Sequence, residues 1–259
     1  MKTKISVPLI FIILSLFTSS CNYSKLQAKS NKIALIVAVG NYPSYGGWSK
    51  ISSSSDIPLI KNMLLSQGFK EQDIKLLVDS VATHDGIVAA INDIINRAQK
   101  GDIVFFHYSG HGQQIRDDNG DEIDGYDESL VPYDAYMRYK KGVYQGEKHL
   151  RDDELGNLLA SLRSKVGLGG EIIVTLDACH SGTATRGFGK SRGTAEKFAE
   201  PGYEPIIKEG KDEGLFENKI STRGSADELA PLVVFSGASA EELNYEYTDD
   251  QGNSYGSLS

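Results

Sequence analysis

The run Lys32-Ile33-Ala34-Leu35-Ile36-Val37-Ala38-Val39, closed by Gly40-Asn41, most constrains the fold of this chain. A strand with one wet face alternates apolar and polar residues, whereas a continuous apolar run must be covered on both sides. Similar runs recur at Asp73–Val78, Asp102–Tyr108, Glu171–Leu176 and Pro231–Phe235. Between them lie stretches of helical period. Asp56–Gln67 carries Ile57, Ile60, Leu64 and Leu65 and is ended by Gly68. Thr83 with Gly86 opens a second, with Ile87, Ala90, Ile91, Ile94 and Ile95, and Asp152–Leu162 forms a third. Strands alternating with helices predict an α/β fold: a mainly parallel central sheet flanked by helices on both faces. Ligands of such sheets gather at the carboxyl ends of the strands.

The 259 residues fit one such domain. A net charge of −8 excludes a nucleic-acid binder that relies on neutralising phosphates. Residues 1–20 read as a signal peptide, with Lys2 and Lys4 ahead of an apolar stretch from Ile5 to Phe17 that is too short to span a bilayer. Small residues followed by Cys21 resemble a bacterial lipoprotein signal, which predicts lipidation of Cys21, a polar tether over 21–31 and a membrane-anchored protein of the bacterial envelope. The alternative is an ordinary cleaved signal and a secreted or periplasmic protein. The folded domain then spans 32–259. Its segment from about 183 to 230, rich in Gly, Ser, Lys, Arg and Glu, is too long for an ordinary connection and is expected to be mobile or functional.

Only two cysteines occur, so after export Cys179 has no partner within the mature chain. It lies in Asp177-Ala178-Cys179-His180-Ser181-Gly182, just past one strand end, and His111 lies in Tyr108-Ser109-Gly110-His111-Gly112, just past another. The topology predicts that both reach one rim of the sheet. A thiol nucleophile needs an imidazole brought close by the fold, and backbone N–H groups around it to face an oxyanion. A buried structural cysteine is the plain alternative. His180 is a rival base, but neighbours on an extended segment point apart. His107 is expected to pack within its strand. A zinc site is disfavoured, because no second cysteine or spaced His/Cys cluster stands near.

These two motifs resemble the catalytic motifs of metacaspases and their bacterial relatives, among the caspase-like cysteine peptidases. The resemblance runs from about Lys32 to the C-terminus and takes in Asp121–Glu128, Asp152–Leu155 and Phe235–Glu246. It implies a caspase-like fold and a cysteine endopeptidase acting through a Cys-His dyad: Cys179 attacks the scissile carbonyl and His111 manages the protons. By the same analogy, the N–H groups of Gly112 and Cys179 form the oxyanion hole. The positions matching the family's acidic specificity pocket are Asp56, Ser109 and Asp177, which implies peptide or protein substrates with Arg or Lys at the cleavage position. Asp56 could instead cap the helix it opens, and Asp177 could bond local backbone. Ser53 stands where the family often carries cysteine.

Arg186, Lys190, Arg192, Lys197, Lys208, Lys211, Lys219 and Arg223 punctuate the long segment, and an Arg/Lys-specific enzyme could cut its own chain there. Residues 117–128 half-resemble a helix–loop–helix calcium loop but carry Glu122 where glycine is needed. The chemistry itself requires no cofactor. Some metacaspases use calcium as an activator; the matching carboxylates are Asp127, Asp152 and Asp153, and a fourth acidic position of the family falls near Arg186. Asp152-Asp153 could equally open a helix, whose N-terminus favours negative charge. The rival function is a catalytically inactive, membrane-tethered caspase-like binding module. An unpaired sheet edge permits dimerisation, though nothing in the sequence requires it.

Overall fold

The computed structural model describes residues 30–179, 190–208, 228–238 and 244–259. The apolar run forms β1 (Lys32–Ala38), and its alternate residues enter two separate cores. Ile33, Leu35 and Val37 face one, while Ala34 and Ile36 face the other. The remaining elements follow as α1 (Ser53–Ser66), β2 (Ile74–Val78), α2 (His84–Arg97), β3 (Ile103–Ser109), β4 (Gly112–Arg116), β5 (Tyr126–Leu130), β6 (Leu150–Arg151), α3 (Asp152–Val166), β7 (Glu171–Asp177), β8 (Leu232–Ser236), β9 (Tyr247–Thr248) and β10 (Ser254–Tyr255).

The central sheet has the order β2-β1-β3-β7-β8, and every pairing in it is parallel. Helices α2 and α3 cover one face through Ile87, Ile91, Ile94, Leu155, Leu159 and Leu162. Helix α1 covers the other through Ile60 and Leu64, which pack with Phe69 and Phe105. The α/β sheet covered on both faces is therefore the architecture that the apolar runs predict. Strand β8 forms one edge, with Phe235 half exposed. Among the described residues no helix is long and apolar enough to cross a membrane.

Local chemistry sets the boundaries. The Thr83 side chain accepts from the Gly86 N–H at 3.1 Å and caps α2. Helix α1 begins at Ser53, upstream of Asp56, so Asp56 lies inside the helix and is free to serve elsewhere. A small antiparallel sheet, β4-β5-β6, stands beside the central one and has no counterpart among the strands expected from the sequence. A β9–β10 hairpin follows near the C-terminus. Within the basic segment, residues 190–208 run past the ends of β3 and β7 and along β4. Residues 180–189 and 209–227 lie outside the described residues, as do His180 and Cys21.

Candidate active site

Strands β3 and β7 pair in register to their last residues, Ser109 opposite Asp177. His111 and Cys179 each stand two residues beyond those ends, so the register brings them to the same rim. The turn after β3 is tight because Tyr108 folds back beneath it. Its hydroxyl donates to the carbonyls of Val131 at 2.7 Å and His111 at 2.9 Å. A Cβ on Gly110 would stand 2.4 Å from that hydroxyl, so only glycine fits between the two residues.

His111 is held from all sides. Its N–H donates to the Tyr42 hydroxyl at 2.9 Å, and its ring stacks on Trp48 with centroids 4.9 Å apart. Nε2 lies 2.9 Å from the Ser49 carbonyl. A carbonyl only accepts, so Nε2 carries the proton and a neutral ring presents Nδ1 as its base. Nδ1 is buried and has no hydrogen-bond partner among the described residues. Burial pulls the imidazole down to about 4, against the hydrogen bond to Ser49. The Cys179 thiol is also buried, which pushes it up to about 11; its Sγ lies 3.9 Å from the Asn244 carbonyl. The resting pair is therefore a neutral thiol and a neutral imidazole.

Both groups are covered by the chain itself, through Arg192. The backbone of residues 190–192 adds as an extended strand beside 244–246: Arg192 N–H donates to the Asn244 carbonyl at 2.8 Å, and Glu246 N–H to the Lys190 carbonyl at 2.9 Å. The Arg192 carbonyl oxygen accepts from Gly112 N–H at 3.1 Å and from Cys179 N–H at 3.0 Å. A carbonyl held by two convergent N–H donors beside a thiol sits where a developing oxyanion would be stabilised. The next residue is in equally close quarters: a Cβ on Gly193 would lie 2.7 Å from Cys179 Sγ and 2.1 Å from its carbonyl oxygen.

The Arg192 side chain is fully buried among acids. Nη1 lies 2.8 Å from Asp56 Oδ2, 4.0 Å from Asp177 Oδ2, and hydrogen-bonded to the Ser109 hydroxyl. Nη2 lies 3.4 Å from Glu246 Oε1. The structure thus brings Asp56, Ser109 and Asp177 into one pocket. Burial raises the Asp56 carboxyl above its usual range, while Arg192, the Ser109 hydroxyl and the Gly256 N–H oppose the rise. Asp177 is held by the Asn244 amide at 2.6 Å and by the Ser259 hydroxyl at 2.7 Å. Sequence reasoning passed over Ser49, Asn244 and Glu246 as site residues. Glu246 did end the tract that carried the family resemblance, which was the available signal.

The calcium-matching carboxylates divide between two groups. Ligand oxygens of Asp127 and Asp153 approach that of Asp118, whereas Asp152 joins Glu122 and Glu128. Burial lifts Asp127 to about 8, against the Arg151 guanidinium paired with it, and its Oδ1 is buried without a hydrogen-bond partner among the described residues. A buried carboxyl with one unpaired oxygen could be ionised by a hard cation with oxygen ligands, in the place where the Arg151 guanidinium now pairs with both Asp118 and Asp127.

Three buried histidines give the fold a pH dependence. Burial depresses His107 and His111 to about 4 and His149 to about 3. The unfolded chain takes up those protons near pH 6.5 and the folded chain does not, so stability is lost as pH falls from about 6.5 to about 4. Asp56 and Asp127, both raised, act with the opposite sign, but they are two groups against three. Above pH 6.5, with the three buried histidines neutral, Asp127 acts together with His84, which its hydrogen bond to Glu154 raises, and stability declines toward pH 8. In calcium-free buffer the unfolding midpoint of a Cys179→Ala chain is expected to peak near pH 6–7 and to fall on both sides; a midpoint that rises steadily toward pH 4 contradicts the buried neutral histidines.

Comparison with known proteins agrees with this geometry. The family model for the metacaspase, peptidase C14 domain matches residues 32–186. Metacaspase-1 of Mycosarcoma maydis is 34% identical over 168 residues, covering 62% of this chain and 38% of the relative. Metacaspase III c of Phaeodactylum tricornutum is 36% identical over 133 residues, covering 48% and 36%. Metacaspase-1B of Aspergillus fumigatus is 30% identical over 223 residues, covering 74% and 51%. The chain thus spans about a third to a half of the length of these relatives. The crystal structure of protein GSU0716 from Geobacter sulfurreducens shares the fold, with a TM-score of 0.57 at 24% identity over 86% of this chain and 78% of that one. By its parallel sheet, its two motif-bearing turns and the match of most of its length to that family model, this chain belongs to the metacaspases of the peptidase C14 family.

Proposed function

We propose that the protein is a cysteine endopeptidase that cleaves after Arg or Lys through the Cys179–His111 dyad, and that it cuts its own chain at Arg192–Gly193. One observation carries this reading: a single residue, Arg192, fills the acidic pocket with its guanidinium and the two-donor hole with its carbonyl. Guanidinium and carboxylates satisfy one another only because both are buried together, so the pocket selects a cation by charge. An aspartate in that position would add a fourth carboxylate to Asp56, Asp177 and Glu246.

In the proposed reaction His111 Nδ1 takes the thiol proton as Sγ attacks the Arg192 carbonyl carbon. The carbonyl oxygen becomes an oxyanion between Gly112 and Cys179 N–H, where loss of one donor costs about 3–4 kcal/mol. Collapse breaks the bond to the Gly193 nitrogen, which receives the proton from His111. Water then attacks the thioester, again deprotonated by His111, and releases the Arg192 carboxylate and the thiol. A neutral resting pair is compatible with this sequence, because attack can proceed with concerted proton transfer. Calcium, in this reading, is an activator bound by Asp127 and Asp153 with Asp118 near the front of α3, and takes no part in the bond-breaking step. Lipidated Cys21 would tether the enzyme to the membrane.

The test is a panel of fluorogenic peptides differing only in Arg, Lys or Asp before the scissile bond, with and without calcium. Arg is expected to be cleaved best, since its fork meets Asp56, Ser109 and Glu246 together while the ammonium of Lys is a single point. Asp is expected to be refused. Preference for Asp ends the pocket assignment, and absence of any turnover in both conditions leaves the binding module as the surviving reading.

A further inference from the structure

The stretch beyond the proposed cut is laid down as firmly as the stretch before it. Gly193 pairs with Gly112 and Phe198 with Ile115, both in the parallel sense along β4. Phe198 N–H donates to the Gln114 carbonyl at 2.8 Å, and Arg116 N–H to the Phe198 carbonyl at 2.8 Å. Between those points β4 advances three residues and the segment five, so Thr194–Lys197 bow outward. The Gln113 amide bridges the bow by donating to the Glu196 carbonyl at 2.7 Å. The Phe198 ring itself is only 2% exposed. It lies in a cage of Tyr139, Tyr144 and His149, with centroid separations of 6.2, 5.5 and 4.8 Å.

This arrangement answers a question that the pocket alone leaves open. Lys190, Arg192 and Lys197 all lie within eight residues of one another, and each carries a cation that an acidic pocket accepts. With Phe198 seated, however, only Arg192 falls at the dyad. Lys197 is drawn away to Asp124 at 2.9 Å and stands over the Tyr126 ring at 3.9 Å. Lys190 is paired through its backbone on the other side. Burial of a phenylalanine ring outweighs an exposed ion pair, so the ring, not the charges, fixes the position.

We propose that Phe198, six residues past the cut, is the anchor that sets the register of self-cleavage and selects Arg192. The proposal rests on the self-cleavage reading above. Phe198 acts as a positioning residue: it touches neither the dyad nor the reacting bond, and holds the bond in place through the backbone of 193–198.

The experiment has an arm that needs no activity. In Cys179→Ala chains, Arg192 is expected to resist added trypsin, and Phe198→Ala to expose it at least tenfold, while Lys75 in β2 and Arg97 in α2 stay protected. In chains with Cys179 intact, Phe198→Ala is expected to slow the Arg192–Gly193 cut at least tenfold or to spread it over Lys190 and Lys197, read by mass spectrometry of the new termini. Phe198→Leu keeps most of the buried area and is expected to stay within about threefold of the wild type. Should Phe198→Ala unfold, seen as trypsin cleavage at Lys75 and Arg97, Phe198→Val carries the same expectations in milder form. Unaltered trypsin resistance with an unaltered rate and site of self-cleavage overturns the proposal. If the wild type cuts neither itself nor basic peptides, the function reading fails, and the trypsin arm still decides whether Phe198 holds the segment.

Discussion

A Cys179→Ala chain is expected to remain uncut at Arg192 and to lose turnover of Arg peptides on the order of 10⁴- to 10⁶-fold, the scale seen when a covalent nucleophile is removed from an intact site. Nothing else described at the rim can replace it. Cys179 is the sole thiol among the described residues. His111 Nδ1 alone would have to activate water in a space already filled by Arg192 and Gly193. The fold should tolerate the change, because the polar contact of Sγ is a weak one, 3.9 Å from the Asn244 carbonyl. The small cavity left by one sulfur costs about 1 kcal/mol on the scale of core truncations. The Cys179 N–H still donates to the Arg192 carbonyl, so the segment should stay seated. Gel mobility, peptide turnover and the unfolding midpoint measure all three consequences. Undiminished self-cleavage in the alanine chain removes Cys179 from the mechanism.

The parts of this molecule that were legible in its sequence are those whose causes are local. β1, β3 and β7 are apolar runs because both faces are covered, and a covered strand writes that fact into consecutive residues. The meeting of His111 and Cys179 at one rim was legible for a related reason: two short turns after two neighbouring strands leave little freedom in where they can lie. The small β4-β5-β6 sheet was not legible. Its buried positions include Gln113, Gln114, Glu128 and Ser129, polar residues that bond to one another across β4 and β5 or, for Gln113, to the Glu196 carbonyl, so no apolar alternation marks them.

Long-range caps hide in the same way. Helix α1 starts before Asp56 because the Glu246 carboxylate binds the backbone N–H and hydroxyl of Ser52 across 194 residues of sequence. A local reading sees the acidic residue at 56 and starts the helix there. The acidic cluster adds a geometric lesson. Asp152 and Asp153 are adjacent in sequence but open α3, where successive side chains diverge by about 100°. They accordingly join different carboxylate groups. Among eight basic residues of the long segment, the seating of Arg192 at the rim draws on Phe198, Asn244 and Gly112 at once, and no window of sequence contains all three.

The second large effect is expected at Asp56. Asp56→Asn keeps the side-chain volume and the acceptor for the Gly256 N–H, 2.9 Å away, while removing one charge from the pocket. Breaking a buried, hydrogen-bonded charge pair costs about 2–5 kcal/mol, which predicts a fall in kcat/KM for Arg peptides of roughly 30- to 4,000-fold. The loss should fall on binding of the cation and on the rate together, because the guanidinium positions the carbonyl between Gly112 and Cys179. In the uncut chain, where Arg192 loses its buried partner, the fold is expected to weaken as well; once the chain is cut and Arg192 can leave the pocket, stability is expected to move far less. Burial already raises the Asp56 carboxyl, so the charge is costly to the protein and is offset mainly by the arginine that enters the pocket. Exchange for a neutral amide relieves that cost even as it weakens the substrate's hold. An Asp56→Asn enzyme that hydrolyses Arg peptides at the original rate would mean that Asp177 and Glu246 carry the recognition, with Asp56 serving only to satisfy the buried Ser109 hydroxyl at 2.6 Å.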